Sequence, residues 1–154
     1  MIASKLLELG VEHSKVHENI YDTNSLDRVR LVSFAMLEKL VVLEDLEVAY
    51  ISLTAEEQTR FKANKGDTEG LVNQALGIQG VKMAVFLKES DGIIKMSFRS
   101  QGSIPVNEMA SKELRGGGHL NASGGKFVGS LDNAIEKLVT ILPKFVEEYK
   151  SHFE

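Results

Sequence analysis

A chain of 154 residues, 43% hydrophobic and 26% charged, has the composition of an ordinary globular domain and is long enough for one sizeable core. It has no cysteine, which excludes disulfides and thiolate metal sites. A net charge of −4 argues against a protein that coats long nucleic acid with its whole surface.

The start, Met1 to Glu8, carries charges within its apolar stretch and does not read as a signal peptide; no run reaches the length of a membrane span. The expectation is a cytoplasmic protein with no membrane partner. Residues 2–9 read as a helix stopped by Gly10, and Glu12 to Ile20 as a second. Tyr21 to Ser25 is turn chemistry, and Ser25 can cap a helix from Leu26 to about Leu40, whose Leu26, Val29, Phe34, Leu37 and Leu40 fall near helical spacing. Val41-Val42-Leu43 and Val48 to Leu53 are strand-like, joined across Glu44-Asp45. Thr54 and Glu57 form a capping-box pattern for a short helix. Asp67 is placed to cap a helix through Leu71, Val72, Ala75 and Leu76, with Glu69 in its first turn.

Val81 to Glu89, the turn Ser90-Asp91-Gly92 and Ile93 to Arg99 give the clearest hairpin pattern in the chain. Pro105 suits the start of a helix over Val106 to Leu114. A glycine-rich segment follows, then a short strand around Lys126 to Val128. Ser130 caps a final amphipathic helix, Leu131 to about Tyr149, in which Pro143 should cause a bend or break. Alternating strands and helices with an embedded hairpin predict an α/β fold, a mixed β-sheet flanked by helices. The organisation expected is an N-terminal linker helix segment over 1–24, which packs on something else, and a single domain over 25–154.

The chemistry concentrates in the glycine segment. Five of the ten residues Gly116 to Gly125 are glycine, and His119, Asn121 and Ser123 lie among them. Glycines let backbone approach a ligand and aim N–H groups at one spot; an imidazole, an amide and a hydroxyl beside them suit a phosphate. A glycine-rich turn between two elements is the plainer alternative. Between Lys95 and Lys126, five basic residues against two acidic ones give +3, which leaves −7 for the rest of the chain. Arg99, ending the hairpin in Phe98-Arg99-Ser100, can offer a fork of donors to the same anion. His13 and His17 share a helix face, but the sequence marks no acid near them with an identified role, and surface or contact roles suit them better than a metal. Asp67 and Glu69 are explained more simply by helix capping than by acid–base catalysis. A phosphate grip is legible, and a catalytic engine is not.

Phe98-Arg99-Ser100, its spacing to Gly116-Gly117-Gly118-His119, and Asn121-Ala122-Ser123-Gly124 together resemble the DHH-associated C-terminal domain of DHH-family phosphoesterases. Asp67-Thr68-Glu69-Gly70-Leu71-Val72-Asn73 is similar to a segment of the oligoribonuclease and pAp-phosphatase branch. The resemblance covers about residues 25–150. It implies two lobes facing across a cleft: a DHH lobe with two Mn2+ ions that activate water, and a C-terminal lobe that grips substrate. It implies that Arg99 and His119 hold a phosphate, that Gly117 and Gly118 give close backbone approach, and that Asn121 and Ser123 support the site. Arg115, where some relatives have a further glycine, is a candidate extra contact. The DHH lobe is absent from this sequence, so a truncated protein and a stand-alone lobe both stay open. The chain is expected to bind no cofactor itself and to be inactive alone. Its expected partners are a DHH lobe of the same parent chain and short single-stranded RNA or 3′-phosphoadenosine 5′-phosphate, with a homodimer left open. A non-catalytic nucleotide-binding or regulatory module is the alternative, and a parent acting on cyclic dinucleotides or polyphosphate a third reading.

Overall fold

A computed structural model describes residue 5 and residues 8–153. Lys5 and Glu8 are helical and Gly10 follows at φ 81°, while the rest of the helix expected over 2–9 lies mostly outside the described residues. Helix α1 (His13–Tyr21) is exposed along nearly its whole described length. Helix α2 (Leu26–Glu38) is capped by Ser25, whose side chain accepts from the Arg28 N–H. Strand β1 (Leu40–Leu43) leads through a 3-10 turn, Glu44–Leu46, into β2 (Val48–Leu53). Helices α3 (Ala55–Arg60) and α4 (Leu71–Leu76) form the crossover to β3 (Met83–Ser90). Next come β4 (Ile93–Ser100), α5 (Val106–Glu113), β5 (Gly117–His119), β6 (Ala122–Phe127), α6 (Leu131–Glu148) and α7 (Lys150–Phe153).

The six strands form one mixed sheet in the order β1-β2-β3-β4-β6-β5. Only β2 and β3 are parallel, and they are the pair joined by a helical crossover, as parallel neighbours require. Asp91 and Gly92 both take positive φ (54° and 77°), the left-handed pair that matches a tight β3–β4 hairpin to strand twist. β3 is buried on both faces from Met83 to Leu87 and separates two apolar cores. On one face Met83, Val85, Leu87, Ile94, Met96 and Phe98 pack with α5 and α6. On the other, Ala49, Ile51, Leu53, Ala84 and Phe86 pack with Leu31 and Ala35 of α2 and Leu71, Val72 and Ala75 of α4.

That second face is covered over β1 to β3, partly covered at the Ser97–Arg99 end of β4 by the Thr68–Asn73 segment, and open over β6 and β5. Along β4 the buried residues Ile94, Met96, Phe98 and Ser100 alternate with the more open Ile93, Lys95, Ser97 and Arg99, as period-two geometry demands.

Several expectations are corrected. Asp67 does not cap α4: the N-cap is Gly70 at φ 89°, and the Asp67 carboxylate accepts instead from the Asn64 N–H at 2.7 Å, closing the preceding turn. Glu69 therefore lies before α4, outside its first turn. In α2 the inward residues are Leu31 and Ala35, while Leu26, Val29 and Leu37 are exposed, Leu37 by 81%. The helix α6 continues through Pro143, because Leu138, Leu142 and Phe145 are buried on both sides of it and hold the helix down where the proline donates no backbone hydrogen bond. The glycine segment is not a loop: it forms strand β5 and the start of β6, which begins four residues before the expected strand at Lys126.

Candidate phosphate-binding face

Strand register decides which of the sequence candidates can act together. Arg99 on β4 pairs with Ala122 on β6, and Ala122 pairs with His119 on β5. Residues directly opposite share a face, so Arg99, Ala122 and His119 form one row across the bare side of the sheet. Two strand spacings, about 10 Å, separate the outer pair. The residue between them is alanine, so nothing bulky blocks two long side chains from reaching a common anion above it.

His119 is exposed. The hairpin that carries it is tied down at its tip. Asn121 Nδ2 donates to Ser100 Oγ at 3.0 Å and to the Gly102 carbonyl at 2.9 Å. The Val106 N–H donates to the Leu120 carbonyl, and the Ser100 N–H to that of Asn121. Ser100 Oγ in turn donates to the Ile104 carbonyl at 2.7 Å. Asn121 thus spends its amide donors on fixing the hairpin to the end of β4.

Ser123 is removed from the set of side chains able to touch a ligand on this face. It pairs with Phe98, points to the opposite side and is buried, and its hydroxyl donates to the Val106 carbonyl at 3.0 Å. The glycines also divide. A Cβ on Gly116 would overlap the Gly124 carbonyl, and one on Gly118, at φ 148°, would lie 2.7 Å from Ser123 Cα. Those two are required by the tight hairpin. A Cβ on Gly117 would meet nothing within 4 Å. Of the two glycines expected to admit a ligand, Gly117 alone has open space where its side chain would be.

Arg99 lines a cavity of about 490 Å³ together with Thr68, Glu69, Asn73, Lys88 and Ser97. Its Nη1 donates to the Phe98 carbonyl at 2.8 Å. The segment Thr68 to Asn73, whose Glu69 the sequence pattern assigns to the first turn of a helix, is therefore one wall of this cavity. Lys88 Nζ donates to Thr68 Oγ1 at 3.0 Å, tying that wall to β3, and Arg28 Nη2 donates to the Glu69 carbonyl at 3.3 Å, tying it to α2. Lys88 and Ser97 went unrecognised in the sequence, and Thr68 and Asn73 stood there only within the family-like segment, with no role of their own. The readable signal was the alternation Lys95-x-Ser97-x-Arg99, polar at every second position of a strand.

Arg115 lies elsewhere. At φ 47° it sits just before β5, beside Lys126, Phe127 and Lys137. Lys126 is four residues along β6 from Ala122, about 13 Å away. His13 and His17 have ring centroids 6.5 Å apart, and among the described residues no group of three or more His, Cys, Asp or Glu side chains is arranged to hold a metal ion.

Known proteins share the sequence family and the fold of this chain. The DHHA1 domain model matches residues 45–148. The bifunctional oligoribonuclease and PAP phosphatase NrnA of Bacillus subtilis is 28% identical over 148 residues, which cover 96% of this chain and 45% of that protein. NrnA of Thermus thermophilus is 34% identical over 74 residues, 47% of this chain and 22% of that one. The crystal structure of an exopolyphosphatase-related protein from Bacteroides fragilis superposes with a TM-score of 0.89 at 40% identity, covering 99% of this chain and 43% of that chain. The chain spans less than half the length of each of these relatives. With two thirds of its residues inside the family match, the chain belongs to the DHHA1 family, the DHH-associated C-terminal domain.

Proposed function

We propose that this chain is the substrate-gripping lobe of a phosphoesterase that hydrolyses short oligoribonucleotides, 3′-phosphoadenosine 5′-phosphate, or both. The observation that carries the reading is the row Arg99–Ala122–His119 on the bare sheet face, opening beside the cavity walled by Thr68 to Asn73. The names of the two NrnA relatives, and the match of one of them along 96% of this chain, support the substrate class. The described residues do not fit the two manganese ions that the family resemblance implies, because no ligand cluster is present among them. The ions would be held by a DHH lobe. This chain's share is positioning and charge neutralisation of the phosphate, which are a large part of phosphoryl-transfer catalysis. The guanidinium supplies paired donors, the His119 imidazole a second donor, and Gly117 room for a phosphate oxygen near the backbone.

The test is binding of 3′-phosphoadenosine 5′-phosphate and of a 5′-phosphorylated diribonucleotide by the purified chain, followed by NMR titration. Arg99→Ala and His119→Ala should each weaken binding about tenfold or more, since a hydrogen bond to a charged group contributes about 1.5–3 kcal/mol. The double variant should lose less than the sum, because both side chains act on one group. Lys82→Ala, which removes a cation paired with Glu47, should change little. Unchanged affinity in both single variants would falsify the grip. Incubated with manganese, the chain should release no phosphate from either ligand; sustained turnover would show that the engine lies within it.

A further inference from the structure

The strongest unexplained electrostatic feature is a row of three lysines. Lys88 on β3 pairs directly with Lys95 on β4, and Lys95 pairs with Lys126 on β6. All three lie on the same face as Arg99, Lys88 half-buried and Lys95 and Lys126 exposed. Like charges directly opposite on neighbouring strands are destabilising, so a sheet that carries three in line invites an anion between them. Their neutralisation within the chain is slight. Among the described residues, Lys88 donates to the Thr68 hydroxyl and meets no carboxylate, Lys95 meets Ser90 Oγ at 2.9 Å and the exposed Asp91 carboxylate at 3.4 Å, and Lys126 has no carboxylate within ion-pair distance.

The row continues the groove that begins at Arg99. A second cavity of about 440 Å³ is lined by Lys65, Lys88 and Lys95, and it adjoins the first through Thr68, Glu69 and Lys88. Across the two, four cations (Lys65, Lys88, Lys95, Arg99) face one carboxylate, Glu69, in a chain whose net charge is −4. Lys95 and Arg99 are four residues apart on β4, about 13 Å. That exceeds one sugar–phosphate repeat. Between them the floor on β4 and β6 is Ser97 and Gly124, too small to obstruct a chain lying across it.

Resting on the substrate class proposed above, we infer that Lys65, Lys88, Lys95 and Lys126 form a second phosphate subsite, which takes a downstream phosphodiester of an oligoribonucleotide whose terminal phosphate sits at Arg99 and His119. Among the residues lining the second cavity there is no aromatic side chain to stack a base, so the subsite tracks backbone and is indifferent to sequence. The chain thereby distinguishes length: a mononucleotide occupies the first site alone, and a longer oligomer occupies both.

The test compares 3′-phosphoadenosine 5′-phosphate, a 5′-phosphorylated diribonucleotide and a 5′-phosphorylated pentaribonucleotide against the Lys95→Ala/Lys126→Ala double variant. Both side chains are exposed, so the fold should be retained; a thermal melt verifies this. Pentanucleotide affinity should fall about five- to tenfold and its salt dependence should flatten, by up to about 0.7 in log–log slope for each phosphate no longer neutralised. Affinity for the two short ligands should change less than twofold. Lys95→Arg/Lys126→Arg should retain the wild-type length preference. Equal losses for all three ligands, or none for the pentanucleotide, would overturn the second subsite while Arg99→Ala still reports on the first. An Arg99→Ala protein that binds all three ligands normally would instead sink the underlying substrate reading. Tripolyphosphate that binds as tightly as the pentanucleotide, with the same lysine dependence, would refute a subsite built for a nucleotide chain.

Discussion

Gly116 and Gly117 are sequence neighbours that lack a side chain for opposite reasons. A methyl at Gly116 would overlap the backbone of Gly124 and Gly125, so Gly116→Ala must open the β5–β6 hairpin and should lower stability by about 1–3 kcal/mol. A methyl at Gly117 meets only space. Gly117→Ala should therefore leave the melting temperature nearly unchanged and weaken binding of 3′-phosphoadenosine 5′-phosphate, because the methyl would occupy the approach of the phosphate. Calorimetric melts of both variants, with one titration each, check the pair; a Gly117→Ala protein that binds normally would show that the ligand does not come that close. The sequence displayed both glycines but could not separate them. Which one is crowded depends on the pairing Gly117↔Gly124, which sets Gly116 against the backbone of Gly124 and Gly125, neighbours that no local pattern encodes.

At the scale of elements, caps and hairpins were legible because their chemistry is local. Thr54 and Glu57 form a full capping box at α3: the Thr54 hydroxyl accepts from the Glu57 N–H at 3.0 Å, and the Glu57 carboxylate from the Thr54 N–H at 2.8 Å. Glu57 also binds Lys39 Nζ at 2.7 Å. Burial pushes this carboxyl up, but the hydrogen bonds and charge of Lys39, with the Thr54 bonds, outweigh it and hold its pKa below the ordinary 4.5. A carboxylate depressed in the folded state stabilises fully above its unfolded pKa, and that contribution is lost as pH falls through the folded value. Glu57→Gln should thus cost about 1 kcal/mol at neutral pH and progressively less as the pH falls below the ordinary carboxyl range, measured by urea unfolding across that range. An equal loss at both ends would assign the effect to shape, not charge. Asp67 shows where local reading ends. An Asp four residues before an apolar run is good cap chemistry, yet the loop turns at Gly66 and Gly70, and the carboxylate serves the turn. Likewise the short β5 carries no hydrophobic periodicity, and its strand character comes from pairing with β6.

For the whole molecule, β3 makes the two cores one cooperative unit, since its residues Met83 to Leu87 are buried on both sides. Phe98, fully buried in the neighbouring strand, anchors the side beneath Arg99. Phe98→Ala should remove about 3–5 kcal/mol, a large part of the roughly 5–15 kcal/mol available to a domain of this size, and should shift a single denaturation transition measured by both fluorescence and circular dichroism. Two separated transitions would mean that the cores unfold independently. The fold class was legible from the alternation of elements, whereas the bare half-face that matters for binding was not, because it depends on the order β4-β6-β5 at one end of the sheet.

The bonds from Asn121 to Ser100 and Gly102 make Arg99 and His119 the two jaws of a fixed caliper, each on its own strand with the gap set by a third residue. A gauge set in advance measures its object without first adjusting, so ordering costs little on binding and amide exchange around residues 117–123 should barely change when ligand is added. Asn121→Ala would free the gap while leaving both jaws intact. Affinity should then fall severalfold although neither phosphate-holding side chain has been removed, and exchange in that hairpin should become ligand-dependent.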